Sequence, residues 1–285
     1  MLQERTDRWM LPRCLFVATF ALIAAHASPT LAATSCNSGV TFSTNTTLSV
    51  DYEQTVATGT PCITLTNGAD LDLNGKKITC KGGYIGACGV AINATAAGSV
   101  LSNSSPNVKA ITGNSSSAWD VGVQNAEEIR NLRIERAFTA VASNYLTAMD
   151  HNVITLTDFC VEATLSSNSA YIQNTLCEPN IRDALALGYG DRKGIQATGT
   201  TTGSGPAITK NMVTHAEVGI YGYNRLQFTD NIVCNEHDGS NTVSISIDQS
   251  VSQSGSHNLC CNVPDIDADD CEFSNSTSGG FNLWP

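Results

Sequence analysis

A short pattern of asparagine, any residue, then an apolar residue returns along the second half of the chain, and it constrains the fold more than any other feature. It stands at Asn152-Val-Ile154, Asn174-Thr-Leu176, Asn211-Met-Val213, Asn231-Ile-Val233 and Asn258-Leu-Cys260, with successive asparagines 22, 37, 20 and 27 residues apart. Upstream, Leu132-Arg-Ile134 falls 20 residues before Asn152, with Leu in the asparagine's place. A second apolar position follows seven residues later in three units, from Ile134 to Val141, Ile154 to Val161 and Val213 to Ile220. Short apolar segments separated by Asn, Gly and Ser lack the long 3.6-residue runs that a helical repeat needs.

The physical solution is a coil that stacks on its successor. Each coil carries short strands that cannot bury their inner face alone, and stacking sets equivalent strands about 4.8 Å apart in parallel sheets. A recurrent Asn at one bend then forms an amide ladder and tolerates tight backbone geometry. The inward column reads Ile134, Ile154, Leu176, Val213, Val233 and Cys260. The rival is an antiparallel sandwich with Asn-rich turns, which has no reason to repeat one turn residue at a fixed spacing.

The N-terminal part fits the same scheme. Val40 to Val50 alternates as a first strand does, and in Asn67–Cys80 (NGADLDLNGKKITC) Leu71 and Leu73 share a face, Asn74-Gly75 turns, and Ile78 resumes the core. The LDLNGKKI segment, followed by the Asn-x-apolar coils, resembles the right-handed parallel β-helix, or pectin-lyase-like, superfamily over roughly residues 40–262. The resemblance implies an all-β fold, a single-stranded right-handed parallel β-helix with an inserted loop and a C-terminal cap. It is poor for activity, since members include polysaccharide lyases, hydrolases, epimerases, phage depolymerases, adhesins and proteins without known activity.

The expected organisation has three parts: a signal peptide over 1–33, the β-helix over 34–263 and a tail or cap over 264–285. Arg5, Arg8 and Arg13 precede the apolar run Cys14–Ala25, which ends in the small residues of Ser28–Ala33. That run is too short to span a bilayer, which takes about 20 residues, and reads as a secretory signal. Ten cysteines follow it, and an even number in an exported chain points to disulfides, with Cys36–Cys62 and Cys80–Cys88 as the local pairings. Removing the segment's three arginines and two acids from the chain's 15 and 26 leaves a charge of about −12. Without a Lys/Arg cluster, that balance argues against nucleic acid or an anionic membrane surface as the main partner. The expected chain is a secreted (periplasmic or extracellular) monomer without a membrane span. Two stretches interrupt the repeat, Gly98–Trp119 as an elaborated loop and Arg182–Pro206 as an overhanging insertion of about 15 residues. The acidic tail, with Asp265, Asp267, Asp269 and Asp270, lacks the EF-hand pattern, and Ca²⁺ stays an open cofactor with none implied firmly.

Stacked coils turn periodic sequence into surface columns. Two residues past the inward position stand Arg136, Leu156, Glu178, His215 and Asn235; four past stand Phe138, Asp158, Asn180, Glu217 and His237. In register, Asp158, His215, Glu217 and His237 are the candidate catalytic groups, because acid–base work on a glycan needs carboxylates and imidazoles titrating near neutrality. Arg136, Glu178, Asp191, Arg192 and Lys193 are the candidate substrate-binding groups. Trp119, Tyr189, Tyr221 and Tyr223 are aromatic candidates for stacking on sugars or covering core edges.

A hydrolase needs two carboxylates about 5–9.5 Å apart, which Asp158 and Glu217, two coils apart, satisfy on spacing. The N-x-D, Asp-pair, G-H-G and R-x-K series of the superfamily's hydrolases does not stand here in order, and the epimerases' D-P-H-D is absent. The expectation is an exported β-helix protein acting on or binding a polysaccharide or cell-surface glycan. If it is an enzyme, it is a polysaccharide lyase or epimerase; the alternative is a non-catalytic glycan-binding or structural surface protein.

Overall fold

The computed structural model describes residues 32–56, 59–82, 88–105, 109–180, 192–235, 243–247 and 254–262. The expected signal sequence up to residue 31, the tail from 264, Tyr189, Asp191 and His237 therefore lie outside the described residues.

Among the described residues all regular structure is β, and the strands fall on three faces. The first face holds β1 (Thr34–Ser35), β4 (Tyr52–Gln54), β7 (Ile78–Cys80), β10 (Ile111–Gly113), β17 (Leu176–Glu178), β20 (Met212–Thr214), β23 (Ile232–Asn235) and β26 (Leu259–Asn262). The second holds β2 (Val40–Phe42), β5 (Ile63–Leu65), β8 (Cys88–Ala94), β11 (Trp119–Gln124), β18 (Lys193–Thr198), β21 (Val218–Tyr223) and β24 (Val243–Ile247). Two long strands, β13 (Arg133–Leu146) and β15 (Val153–Leu165), turn the corner and serve both faces. The third holds β3 (Thr46–Thr47), β6 (Leu71–Asp72), β9 (Val100–Ser102), β12 (Glu128–Arg130), β14 (Ala148–Asp150), β16 (Tyr171–Gln173), β19 (Ala207–Thr209), β22 (Gln227–Thr229) and β25 (Ser254–Ser256).

Among the described residues every pairing between these strands is parallel, each strand with its counterpart one turn of chain later, and the isolated bridge Thr200–Arg225 is antiparallel. That order makes rungs of three strands, one on each face, stacked on one another, and it excludes the antiparallel sandwich. Rung 1 is β1–β3, and rungs 5 to 8 begin at β13, β15, β17 and β20.

Three apolar columns fill the interior. On the first face Ile78, Ile111, Ile134, Ile154, Cys177, Val213 and Val233 stand in register. On the second, Ile63, Ile92, Val123, Val141, Val161, Ile195 and Ile220 do so. Leu71, Leu101, Ile129, Met149, Ile172, Ile208 and Phe228 form the third. All are at most 1 % exposed. Each such side chain stabilises by about 1.5–3 kcal/mol, and β-branched residues suit the pleated stack. The Leu71, Leu73 and Ile78 reading holds, with Asn74-Gly75 turning at φ 46° and 71°.

The expected column needs one correction. Cys177, not Leu176, stands between Ile154 and Val213. Leu176 points outward, in an external apolar ladder with Val153, Met212, Ile232 and Leu259. The match at Asn174 is one residue out of frame. The ladder position is filled by Asn152, Thr175, Asn211, Asn231 and Asn258, each 0–3 % exposed. The residue before it takes the left-handed conformation: His151 at φ 54°, Asn174 at 49°, Lys210 at 57°, Asp230 at 56° and His257 at 55°. Asn174 answers to the left-handed bend, which Asn tolerates, while Thr175 takes the ladder place.

The ladder is an amide stack. The side-chain oxygens of Asn211, Asn231 and Asn258 accept from the backbone N–H of Thr175, Asn211 and Asn231, each at 3.1 Å. The Asn211 and Asn231 amide groups donate onward to the side-chain oxygens of Asn231 and Asn258 at 3.0 and 2.9 Å. They also donate to the carbonyls of Ile172 and Ile208 on the preceding rung's third face. A bend that would bury unpaired backbone groups is thereby satisfied from side chains.

Two further expectations change. Gly98–Trp119 is not one elaborated loop: it contains β9 and β10, whose Leu101 and Ile111 are fully buried. Trp119 is fully buried at the corner, donating its indole N–H to the Thr112 carbonyl at 3.0 Å, so it is not a sugar platform. Within Arg182–Pro206, Lys193–Thr198 is a strand of the second face, because Ile195 and Ala197 carry its core pattern. Of the rest of that stretch, the described residues 199–206 form the bend that follows it. Disulfides join Cys36 to Cys62 and Cys80 to Cys88, and a third, Cys160–Cys177, ties the second face of rung 6 to the first face of rung 7.

Candidate functional site: a charged corner and a polar groove

The corner between the first and second faces carries most of the residues singled out in the sequence. The register sets Asp120, Phe138, Asp158, Arg192 and Glu217 in one column on five successive rungs. The Arg192 carbonyl accepts the N–H groups of Glu217 and Val218 at 2.8 and 3.1 Å. Asp158 is 4 % exposed and Arg192 3 %. Charges this far from water are tolerated where opposite charges neutralise them, and an arginine between two acids meets that need. Asp120, at the end of the column and exposed as a residue, has its carboxyl pushed up by partial burial.

Beside this column, Glu178 and His215 meet, with Nδ1 of the imidazole 3.6 Å from Oε1 and 3.2 Å from Thr214 Oγ1. Both side chains are about one-third exposed. Lys193 lies 5.2 Å over the Phe159 ring, a cation–π contact on the second face. Arg136 shares the left-handed bend of His215, at φ 64° and 59°, but sits three rungs away and donates to the Ser115 carbonyl. Folding therefore unites Asp158, Arg192 and Glu217, joins Glu178 to His215, and leaves Arg136 apart. Asp158 and Glu217 keep their two-rung separation, about 9.6 Å of strand spacing, with Arg192 between them. Asp158 is not open to a polymer in solvent.

The concave site lies one step further along the second face. A cavity of about 260 Å³ is lined by Gln124, Asn125, Ala142, Ser143, Asn144, Glu162, Ala163, Thr164, Gln196 and Thr198. Its floor is part of a single outward column, Gln124, Ala142, Glu162 and Gln196, with Thr164 and Thr198 in the next; beyond the cavity the register carries these columns on to Asn93 on one side and to Tyr221 and Tyr223 on the other. Ala142 is the small member of the first column, so the space between the Gln124 and Glu162 side chains stays open. A register shift in β13 between Ser143 and Leu146 shapes that rim, where Asn144 donates to Asn125 at 3.3 Å. At the opposite end Tyr221 and Tyr223 meet edge to face, centroids 4.6 Å apart. The bend of residues 199–206 is pinned beside that end: Asn168 Oδ1 accepts from Thr200 Oγ1 and the Gly205 N–H, and Arg225 donates to the Gly203 carbonyl.

Sequence reasoning missed this groove, although a signal was present. Each residue of that outward column directly follows an inward residue of the second column: Asn93 after Ile92, Gln124 after Val123, Glu162 after Val161, Gln196 after Ile195, Tyr221 after Ile220. Amides, hydroxyls and one carboxylate can exchange paired hydrogen bonds with a polyol and, next to tyrosine rings, can seat a sugar. Among the described residues no three His, Cys, Asp or Glu side chains group as a metal site, and Glu162 is the one carboxylate lining the groove.

No family model, no curated protein and no solved structure matches this chain. What fold and site define together is a class: an all-β protein of stacked parallel rungs with a polar groove along one face.

Proposed function

We propose that this is an exported right-handed β-helix protein of pectin-lyase-like type that binds polysaccharide along the groove of its second face. Support for the hand comes from chirality, since crossovers between parallel strands are right-handed in about 98 % of cases. Support for export comes from the N-terminal sequence and from three disulfides among the described residues, which persist in oxidising compartments. No helix of the described residues is long and apolar enough to cross a membrane. The observation that carries the binding reading is the groove floor, in which Gln124, Glu162 and Gln196 recur in one register that continues to Tyr221.

Binding without turnover is favoured over a lyase or epimerase. Such enzymes must neutralise a uronate carboxylate and remove the neighbouring proton, which takes a cation and a base together. The groove lining supplies one carboxylate and no Lys, Arg or His. At the corner Asp158 and Arg192 are buried, which keeps that guanidinium from a uronate in solvent, while the Glu178–His215 pair beside them is about one-third exposed. The test is retention of the secreted protein on a panel of polysaccharides, run beside reducing-end and unsaturated-product assays with and without Ca²⁺. Retention without product supports the reading. Product formation abolished by Asp158→Asn or His215→Ala would transfer the function to an enzyme at the corner.

A further inference from the structure

We infer that the polymer in this groove is an uncharged glycan lying along the stacking direction of the rungs. The inference deepens the groove reading and rests on it. Gln124, Asn125, Asn144, Thr164, Gln196 and Thr198 are neutral groups that both donate and accept, and Glu162 is the one ionised side chain in the lining. Glu162 is exposed. A carboxylate there accepts bidentate, charge-assisted bonds from the vicinal hydroxyls of a neutral sugar. The same carboxylate repels each acid group of a polyuronate, and the lining holds no cation to offset it. The nearby cations are engaged elsewhere: Lys193 over the Phe159 ring at 5.2 Å, and Arg225 on the Gly203 carbonyl at 2.9 Å.

The direction follows from the register. Along the stack the column presents one residue per rung, about every 4.8 Å, polar at Gln124, Glu162 and Gln196 with Ala142 as the small member, and it runs on to the paired tyrosines. Across the strands the surface changes within three residues to Val121, Thr139 and Phe159 of the neighbouring column. A chain of repeating sugars meets repeating partners only along the stack, and its last ring reaches Tyr221, whose aromatic face suits the apolar side of a pyranose.

The experiment is affinity electrophoresis of the full secreted protein in gels containing glucomannan, xyloglucan, polygalacturonate or alginate, at low and high salt, with and without Ca²⁺. The variants are Gln196→Ala, Tyr221→Ala and Glu162→Lys, each checked for an unchanged far-UV spectrum. The expected result is retention by at least one neutral polymer, insensitive to salt, and none by the two acidic ones. Gln196→Ala and Tyr221→Ala should each weaken that retention about tenfold, and Glu162→Lys should bring in polygalacturonate. Retention by an acidic polymer that Gln196→Ala weakens overturns the neutral-ligand inference and leaves the groove reading standing. Neutral retention untouched by all three variants places the ligand elsewhere and overturns both, as does the absence of retention on every polymer.

Discussion

Asn231 shows how one residue type can hold a bend across many rungs. Its side-chain oxygen accepts the Asn211 N–H, and its amide group donates to Asn258 and to the Ile208 carbonyl, all within 3.1 Å and away from water. Asn231→Ala therefore orphans buried groups on two rungs and should cost about 1–3 kcal/mol in guanidinium unfolding. Asn174→Ala should cost less, about 1 kcal/mol, since Asn174 supplies left-handed backbone and a single bond to Asp150. Asp150 itself gives a pH signature. Burial pushes its carboxyl up, but bonds from Asn174, His151 and Gln173 and the charge of His151 outweigh it, and the group titrates below the usual aspartate range. A carboxyl lowered on folding adds stability above its unfolded value, about 3.9, and loses it as pH falls through the folded value. Unfolding midpoints of wild type and Asp150→Asn measured downward from pH 5 should differ at pH 5 and converge in the acid.

At the scale of elements, the rungs are held by pairing to neighbours and by cross-links at corners. Cys160–Cys177 closes a 17-residue separation and joins the second face of rung 6 to the first-face core column of rung 7. Loop-closure entropy for that length is worth about 3 kcal/mol, so Cys160→Ala with Cys177→Ala should lower the guanidinium midpoint accordingly. The loss should concentrate in rungs 6 to 8, read as faster amide exchange there, because a stacked array is stabilised chiefly by its nearest neighbours. Gly194 belongs to the same corner. A Cβ there would run into the Gly219 carbonyl and the Val213 side chain, which is why the second face can turn so tightly beside the Arg192 column.

At the scale of the whole molecule, stacking converts a weak periodicity into a largely polar floor, and Ala142 is the place where it can be closed. Ala142→Phe should fill the groove between Gln124 and Glu162, abolishing glycan retention while leaving disulfides, far-UV spectrum and unfolding midpoint close to wild type, because the position faces outward. The inward columns were legible in the chain: Ile134, Ile154, Val213 and Val233 stand above one another as their spacing requires, since burying an apolar edge admits one period. The frame at Asn174 was not, because Asn suits both the ladder and the left-handed bend, and Thr175 can replace the amide. The corner charges were legible as a cluster, but not the burial of Asp158 and Arg192, nor that Arg192 would stand between Asp158 and Glu217.

By itself the sequence determined that short strands stack in parallel around an inward apolar column, because that information is periodic and local; the structure adds that there are three such columns. Only the tertiary structure decided which outward residues become neighbours, since a single-residue shift in register, or one small side chain such as Ala142, sets where a surface opens, and neither leaves a period behind.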